Sequence, residues 1–186
     1  MELFYFQGYE ATGISDIVRR ANARSGSLYY FFENKEAVLL AVLRRYMETI
    51  RTEVMEPATR LSPDPMERIF GVLDNYRQAL VFTRGAGGCP LGNLASEVSR
   101  AHPAARGVLE EDFAAWRQWV RACLEDARGR FPAETNFEQL ATLVLAVMEG
   151  GIMQARVQGT VAPFEASVKG LRDYFGRLTA PPQKHG

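Results

Sequence analysis

At 186 residues the chain is long enough for one large domain or two small ones, and a hydrophobic share of 47% is that of a globular protein. Its 22 basic residues balance 22 acidic ones to a formal net charge of zero, which argues against a charge-driven coating of nucleic acid. No uninterrupted apolar run reaches membrane-spanning length, no secretory leader is recognisable, and Cys89 and Cys123 stand in no CxxC or CxxH pair, so they read as reduced thiols of a cytoplasmic protein. His102 and His185 have no ligand-spaced neighbours, so neither a metal nor a cofactor is expected.

The opening residues, Glu2-Leu3-Phe4-Tyr5-Phe6-Gln7-Gly8, fit the E-x-x-Y-x-Q-G cleavage pattern of expression tags. Beyond them, Ile14, Ile17, Val18 and Ala21 recur at i, i+3, i+4 and i+7, one apolar stripe of a helix. Gly13 is its expected N-cap, and Asp16 sits in the first turn, where the helix dipole favours a carboxylate. Asn22 tolerates the left-handed conformation that a sharp helix-to-helix turn demands. Ser25 is the candidate cap of a second short helix, with Leu28 and Phe32 inward and Ser27, Tyr30 and Phe31 outward. SLYYFF has the propensity of a strand, but helical periodicity flanks it and no second strand-like run exists to pair with. Asn34 then caps a helix from Lys35 to about Val54, with Val38, Leu39, Val42, Leu43, Tyr46 and Ile50 inward and Pro57 beyond its end.

Two short helices joined by a three- or four-residue turn are the unit that reads DNA. Small residues at the start of the second helix (Ser25, Gly26, Ser27) permit close approach to a phosphate or base edge. Tyr29 and Tyr30 offer hydroxyls for phosphates and rings for thymine methyls. Lys35, at a helix N-terminus, suits a phosphate. From Tyr9 to Met47 the bases Arg19, Arg20, Arg24, Lys35, Arg44 and Arg45 exceed the acids Glu10, Asp16, Glu33 and Glu36 by two, a weakly basic head on a neutral body.

The stretch GYEATGISDIVRRANARSGSLYYFFENKEAVLLAVL resembles the DNA-binding domain of the TetR family of transcriptional regulators. Gly8, Tyr9, Thr12, Ile14, Ile17, Ala21, Gly26, Leu28, Tyr29, Tyr30, Phe32 and Lys35 fall in the order of that family's GY-x-x-[TS], [TS]-[IV]-x-x-IA and LYYHF motifs. The departures are Asn22 for the turn glycine, Ala23 for valine, Arg24 for the capping serine, Ser25 for lysine and Phe31 for histidine. The resemblance makes Arg24, Ser25, Gly26, Ser27, Tyr29, Tyr30, Phe31 and Lys35 the expected contacts to double-stranded operator DNA. It also makes Met1–Phe6 the last turns of the family's first helix, incomplete as written, with Leu3, Phe4, Gly8 and Tyr9 in the family's places.

Further along, LSPDP breaks the chain, and Asp64 and Pro65 open a helix with Ile69, Phe70, Leu73, Tyr76, Leu80 and Val81 inward. Gly85-Ala86-Gly87-Gly88 lacks the GK[ST] ending of a phosphate loop and follows a helix, so it reads as a connector. The next segment, GCPLGNLASEVS, is similar to a GC-x-LGN-[LA] stretch of some TetR-family bodies. Pro103 opens a helix to about Arg128, Asn136 one to about Gln158, and Pro163 a last one reaching Leu178. The tail APPQKHG is polar.

The expected architecture is all-α: a helix-turn-helix domain over residues 1–47, a helical ligand-binding and dimerisation domain over 48–179, and a tail over 180–186. Breadth of apolar surface on the last two helices points to a homodimer through Val144, Val147, Gly151, Ala155, Leu171, Tyr174 and Phe175. Aromatic, thioether and amide groups at Tyr76, Phe82, Asn93, Phe113, Trp116, Met148, Met153 and Gln154 are candidate lining for a small-molecule inducer pocket. No GxSxG, HExxH or dinucleotide fingerprint is present, so no enzyme is expected. The expected function is a homodimeric repressor released from its operator by a small molecule. The alternative is a small-molecule-binding or interaction protein on the same scaffold with impaired DNA binding, motivated by the incomplete first helix, Arg24 and Phe31.

Overall fold

The computed structural model describes residues 2–98 and 101–180; the proline-rich end of the tail and His185 lie outside the described residues. Among the described residues every regular element is helical. The head holds α1 (Glu2–Gln7), α2 (Ile14–Arg20), α3 (Ser25–Phe31) and the start of α4 (Lys35–Ile50). The body adds α5 (Glu56–Leu61), α6 (Pro65–Phe82), α7 (Pro90–Val98), α8 (Pro103–Asp126), α9 (Phe137–Gln158) and α10 (Ala162–Leu178).

Local chemistry sets most of these boundaries. The Asp16 carboxylate accepts from the Gly13 N–H at 3.2 Å and secures the start of α2. Asn22 turns the chain with φ at +50°, the left-handed step anticipated for it. Arg24, rather than Ser25, occupies the N-cap of α3, and its side chain makes no capping bond. Asn34 accepts from Ala37 N–H at 2.9 Å, Asp64 from Met66 N–H at 2.9 Å and Asn136 from Gln139 N–H at 3.1 Å, so three predicted caps are made.

The helix expected to run from Lys35 to Val54 departs from a regular rod. It stays α-helical to Ile50 and then widens into a π-turn over Arg51–Met55, closed by the Glu56 N–H bonding back to Arg51. Pro57 lies just inside α5, close to its start. A proline has no N–H and its ring displaces the carbonyl one turn back. The wider turn lets the chain pass the proline still coiled, where a break was expected.

One apolar core runs from head to body. Phe4 is 2% exposed and packs on Tyr9, with ring centroids 5.6 Å apart. Leu39 and Leu43 of α4 are fully buried, and α4 lies on α8. α8 is the central pillar, contacting α4, α6, α7 and α9, while α9 pairs with α10. By length and mean hydropathy α9 matches a membrane span. Its apolarity is explained by double coverage: Leu140, Ala141, Val144, Leu145, Met148, Ile152 and Ala155 are buried between neighbours on two sides.

Candidate DNA interface and effector cleft

The outer face of α3 is aromatic and open. Tyr30 is 82% exposed and Phe31 73%, their rings set edge to face at 4.9 Å, and Tyr29 is exposed beside them. Leu28 is buried and Phe32 packs against the core, which anchors the helix from beneath. Arg24, Gly26 and Ser27 are exposed at the N-terminal end, and nothing lies within 4 Å of where a Cβ on Gly26 would stand. Three large exposed aromatics on one short helix are unusual for a surface that touches only water.

Lys35, the expected phosphate contact, is also engaged within the chain. It is half-buried, its Nζ donates to the Tyr9 carbonyl at 2.9 Å, and it stands 4.1 Å over the Tyr9 ring. The lysine ties the start of α4 to the turn after α1, because a half-buried ammonium needs an acceptor close by.

The head is clamped to the body through α7. One oxygen of Glu97 accepts the Tyr9 N–H at 2.7 Å and the Glu10 N–H at 3.3 Å. Gly8, at φ +85°, permits this, since a side chain there would collide with that carboxylate. At the other end of α7's lead-in, the Tyr5 hydroxyl donates to the Gly88 carbonyl at 3.0 Å and accepts the Gly88 N–H. His102, just before α8, meets the Tyr9 ring edge to face at 4.8 Å and lies within 3.6 Å of Glu10 and Glu36.

The body side of α7 forms one wall of a cleft of about 580 Å³, lined by Gly92, Asn93, Ser96, Phe113, Glu149, Gly150, Ile152, Met153, Arg156 and Val157. Met153 and Val157 are exposed at its rim. Glu149 nestles on Gly92, where any Cβ would collide with its carboxylate. Burial pushes this carboxyl up to about 7, and a hydrogen bond from the neighbouring Cys89 thiol offsets part of that rise. Burial likewise pushes the Cys89 thiol well above its ordinary range. Arg156 donates to the Asn93 side-chain oxygen, while Asn93 Nδ2 and Glu149 Oε1 are shielded from solvent with no partner among the described residues. Leaving such a group unpaired costs about 1–3 kcal/mol.

Known proteins share this fold. Residues 65–171 match the model described as "Tetracyclin repressor-like, C-terminal domain", and residues 1–42 match "Bacterial regulatory proteins, tetR family". The chain belongs to the TetR family. An HTH-type transcriptional regulator of Bacillus subtilis (strain 168), YxaF, is 34% identical over 152 residues, covering 81% of this chain and 78% of its own. A TetR transcriptional regulator from Chloroflexus aurantiacus superposes with a TM-score of 0.83 at 31% identity, over 94% of this chain and 89% of that one. The regulator CifR, whose structure includes a 26-bp double-strand operator DNA, superposes at 0.79 with 21% identity, over 92% of this chain and 91% of its own. The chain is thus a helix-turn-helix transcriptional regulator of TetR fold.

Within this TetR-family body, the residues expected to line one pocket separate into groups. Asn93, Phe113 and Met153 line the cleft. Tyr76, Trp116 and Met148 are buried and line none of it, and the Tyr76 hydroxyl and Trp116 Nε1 are shielded with no partner among the described residues. Phe82 is 89% exposed at the end of α6: Leu73, Tyr76 and Leu80 share the buried face, and each further residue turns about 100° away, so Val81, also expected inward, points out as well. Gln154 lies in a separate groove between α9 and α10, its amide donating to the Gly150 carbonyl.

The dimer residues divide in a similar way. Val144, Gly151, Ala155, Leu171 and Phe175 are buried within the protomer, where Gly151 lets Phe164 and Ser167 of α10 approach to 3.1–3.3 Å of its Cβ position. Their small size serves the α9–α10 contact of one chain, so they are not surface for a partner. Val147 is half-buried and Tyr174 is 45% exposed; with Leu143 and Ala146 they line the α9–α10 groove.

Glu149, Gly92, Arg156, Tyr5 and Glu97 were missed by residue-by-residue reading. Glu149 did leave a signal: it is the one acid between Leu140 and Ala155, in an otherwise apolar helix.

Proposed function

We propose that the protein is a homodimeric, cytoplasmic repressor that reads operator DNA with α3 and is released by a small molecule bound in the body, with the functional division near residue 47. The open aromatic face of α3, anchored by buried Leu28, is the observation that carries the DNA reading. Arg24, Ser25, Gly26, Ser27, Tyr29, Tyr30 and Phe31 are its contacts, whereas Lys35 supports them by holding the Tyr9 turn. A second protomer across the α9–α10 groove, at Leu143, Val147 and Tyr174, presents a second α3, and two half-sites about 34 Å apart multiply specificity.

Release is carried by α7. The same helix that walls the cleft with Gly92, Asn93 and Ser96 holds the head with Glu97 and, through Gly88, with Tyr5. A ligand that displaces α7 therefore moves the head's anchor directly, and α4, widened at Arg51–Met55, follows as a yielding linker rather than as the lever. Half-site spacing is fixed by DNA, so a displaced pair of heads binds poorly. Moving the population from almost all bound to almost all released takes about a 10⁴-fold preference of ligand for the displaced state.

The test is titration of the full-length chain against fragments of its own promoter region, with fluorescence anisotropy at two salt concentrations. One fragment should bind at least tenfold tighter than random DNA of equal length, with affinity falling as salt rises. Equal, weak affinity for every fragment would refute the DNA reading and favour a scaffold that binds small molecules or partners alone.

A further inference from the structure

The cleft between α7, α8 and α9 also carries information on ligand chemistry, given the proposed role of that cleft as effector site. Its walls are apolar on Phe113, Ile152, Met153 and Val157. Its charged side chains are one acid, Glu149, whose carboxyl burial pushes up to about 7, and one base, Arg156. Two shielded atoms of its lining lack partners among the described residues, a donor at Asn93 Nδ2 and an oxygen at Glu149 Oε1. The Asn93 oxygen is already engaged by Arg156, so its amide is oriented with only the N–H group to spare.

A single group that both donates and accepts would satisfy this pair. An ammonium donates only, and would leave the Asn93 N–H unpaired beside a positive charge. A carboxylate accepts only: it would leave Glu149 Oε1 without a donor and, once that carboxyl ionises, face it with like charge. A hydroxyl does both: it accepts from Asn93 Nδ2 and donates to Glu149 Oε1. We infer that the cleft takes an uncharged, largely apolar ring compound bearing a hydroxyl, seated with the ring against Phe113 and Met153 and the hydroxyl between Asn93 and Glu149. Both polar atoms sit under the cleft surface, so seating the hydroxyl requires α7 and α9 to part slightly. Because α7 holds the head through Glu97, the parting that admits the hydroxyl is also the movement that loosens DNA.

The experiment uses three probes of one shape and three charges: 1-pyrenemethanol, 1-pyrenemethylamine and 1-pyrenecarboxylate. Each is titrated into the full-length protein, with binding read by quenching of Trp116 and Trp119 and by the midpoint of thermal unfolding. The alcohol should bind at least about tenfold tighter than either charged probe, and Asn93→Leu and Glu149→Leu should each weaken the alcohol by about tenfold, the loss of one buried hydrogen bond. Each variant's unfolding midpoint without probe shows whether it is folded, and Met153→Ala supplies an independent check by weakening all three probes alike. Tightest binding by the amine or the carboxylate, or no saturable binding of any probe, overturns the hydroxyl assignment. The effector role is separable: an alcohol that binds as described yet leaves promoter DNA bound refutes the release mechanism while sustaining the ligand class, and a charged probe that binds tightest and releases DNA does the reverse.

Discussion

Replacing Glu149 by glutamine should stabilise the protein at alkaline pH and do little at acid pH. In the folded chain burial holds this carboxyl at about 7 against an ordinary value near 4.5. The folded state therefore binds the proton more tightly than the unfolded chain does. Stability from this group then falls as pH rises from about 4.5 to about 7, and the full cost is present above that. The difference corresponds to roughly 3 kcal/mol at pH 8. Glutamine keeps a carbonyl to accept from Cys89 but places an amide where Oε1 or its neighbour was, an unpaired donor that costs about 1 kcal/mol. The expected net gain is about 1–3 kcal/mol at pH 8, falling to zero or a small loss at pH 4.5. Urea unfolding at both pH values and one protein concentration measures it, since the stability of any oligomer depends on concentration. An equal gain at both pH values, or a loss at pH 8, would show that Glu149 is not held protonated by its surroundings.

Tyr30→Ala should cost roughly 1–3 kcal/mol in operator affinity and narrow the gap to random DNA, read by anisotropy with both fragments; an unchanged ratio removes the tyrosine from base reading. Val147→Glu should yield monomers at micromolar concentration in sedimentation with an unchanged helical spectrum, whereas Gly151→Arg should unfold the chain, because its neighbours Phe164 and Ser167 belong to the same protomer. Glu97→Gln keeps one acceptor for the Tyr9 and Glu10 N–H groups but removes the charge, and should weaken operator binding a few-fold without changing the unfolding midpoint by more than a few degrees. Operator affinity at the parent level would free α7 of the coupling role.

Elements whose ends carry their own chemistry were legible in the sequence. Gly13 with Asp16, Asn22, Asn34, Asp64 with Pro65, Asn136 and Pro163 each act within a few residues of where they sit, and each lies at or beside an observed boundary. The open face of α3 was legible for the same reason, from the i, i+4 pair Leu28 and Phe32. Features set by a distant partner were not. Whether Phe82 or Tyr76 faces a cavity depends on where α6 outruns its neighbours, and whether Gly151 faces α10 or a second copy depends on docking of two helices. Both alternatives give the same periodicity along one helix. Nothing in the sequence singles out Glu97 or Tyr5 as a clamp, because their partners lie 88 and 83 residues away.

The widened turn at Arg51–Met55 also changes how the chain tolerates alterations of length. The buried face passes from Ile50 to Met55, five residues on, and then to Ala58. Ordinary α-helical spacing from Ile50 would call on Val54 instead. The turn therefore carries one residue more than the packing requires. Deleting a residue between Arg51 and Val54 lets the turn tighten to an α-helix while Met55 and Ala58 stay inward. The same deletion inside α6 or α9 would rotate every later side chain by about 100° and expose the core. Head and body can thus exchange a residue of linker without either losing its register, and variation in chain length between related molecules has a place in which to fall.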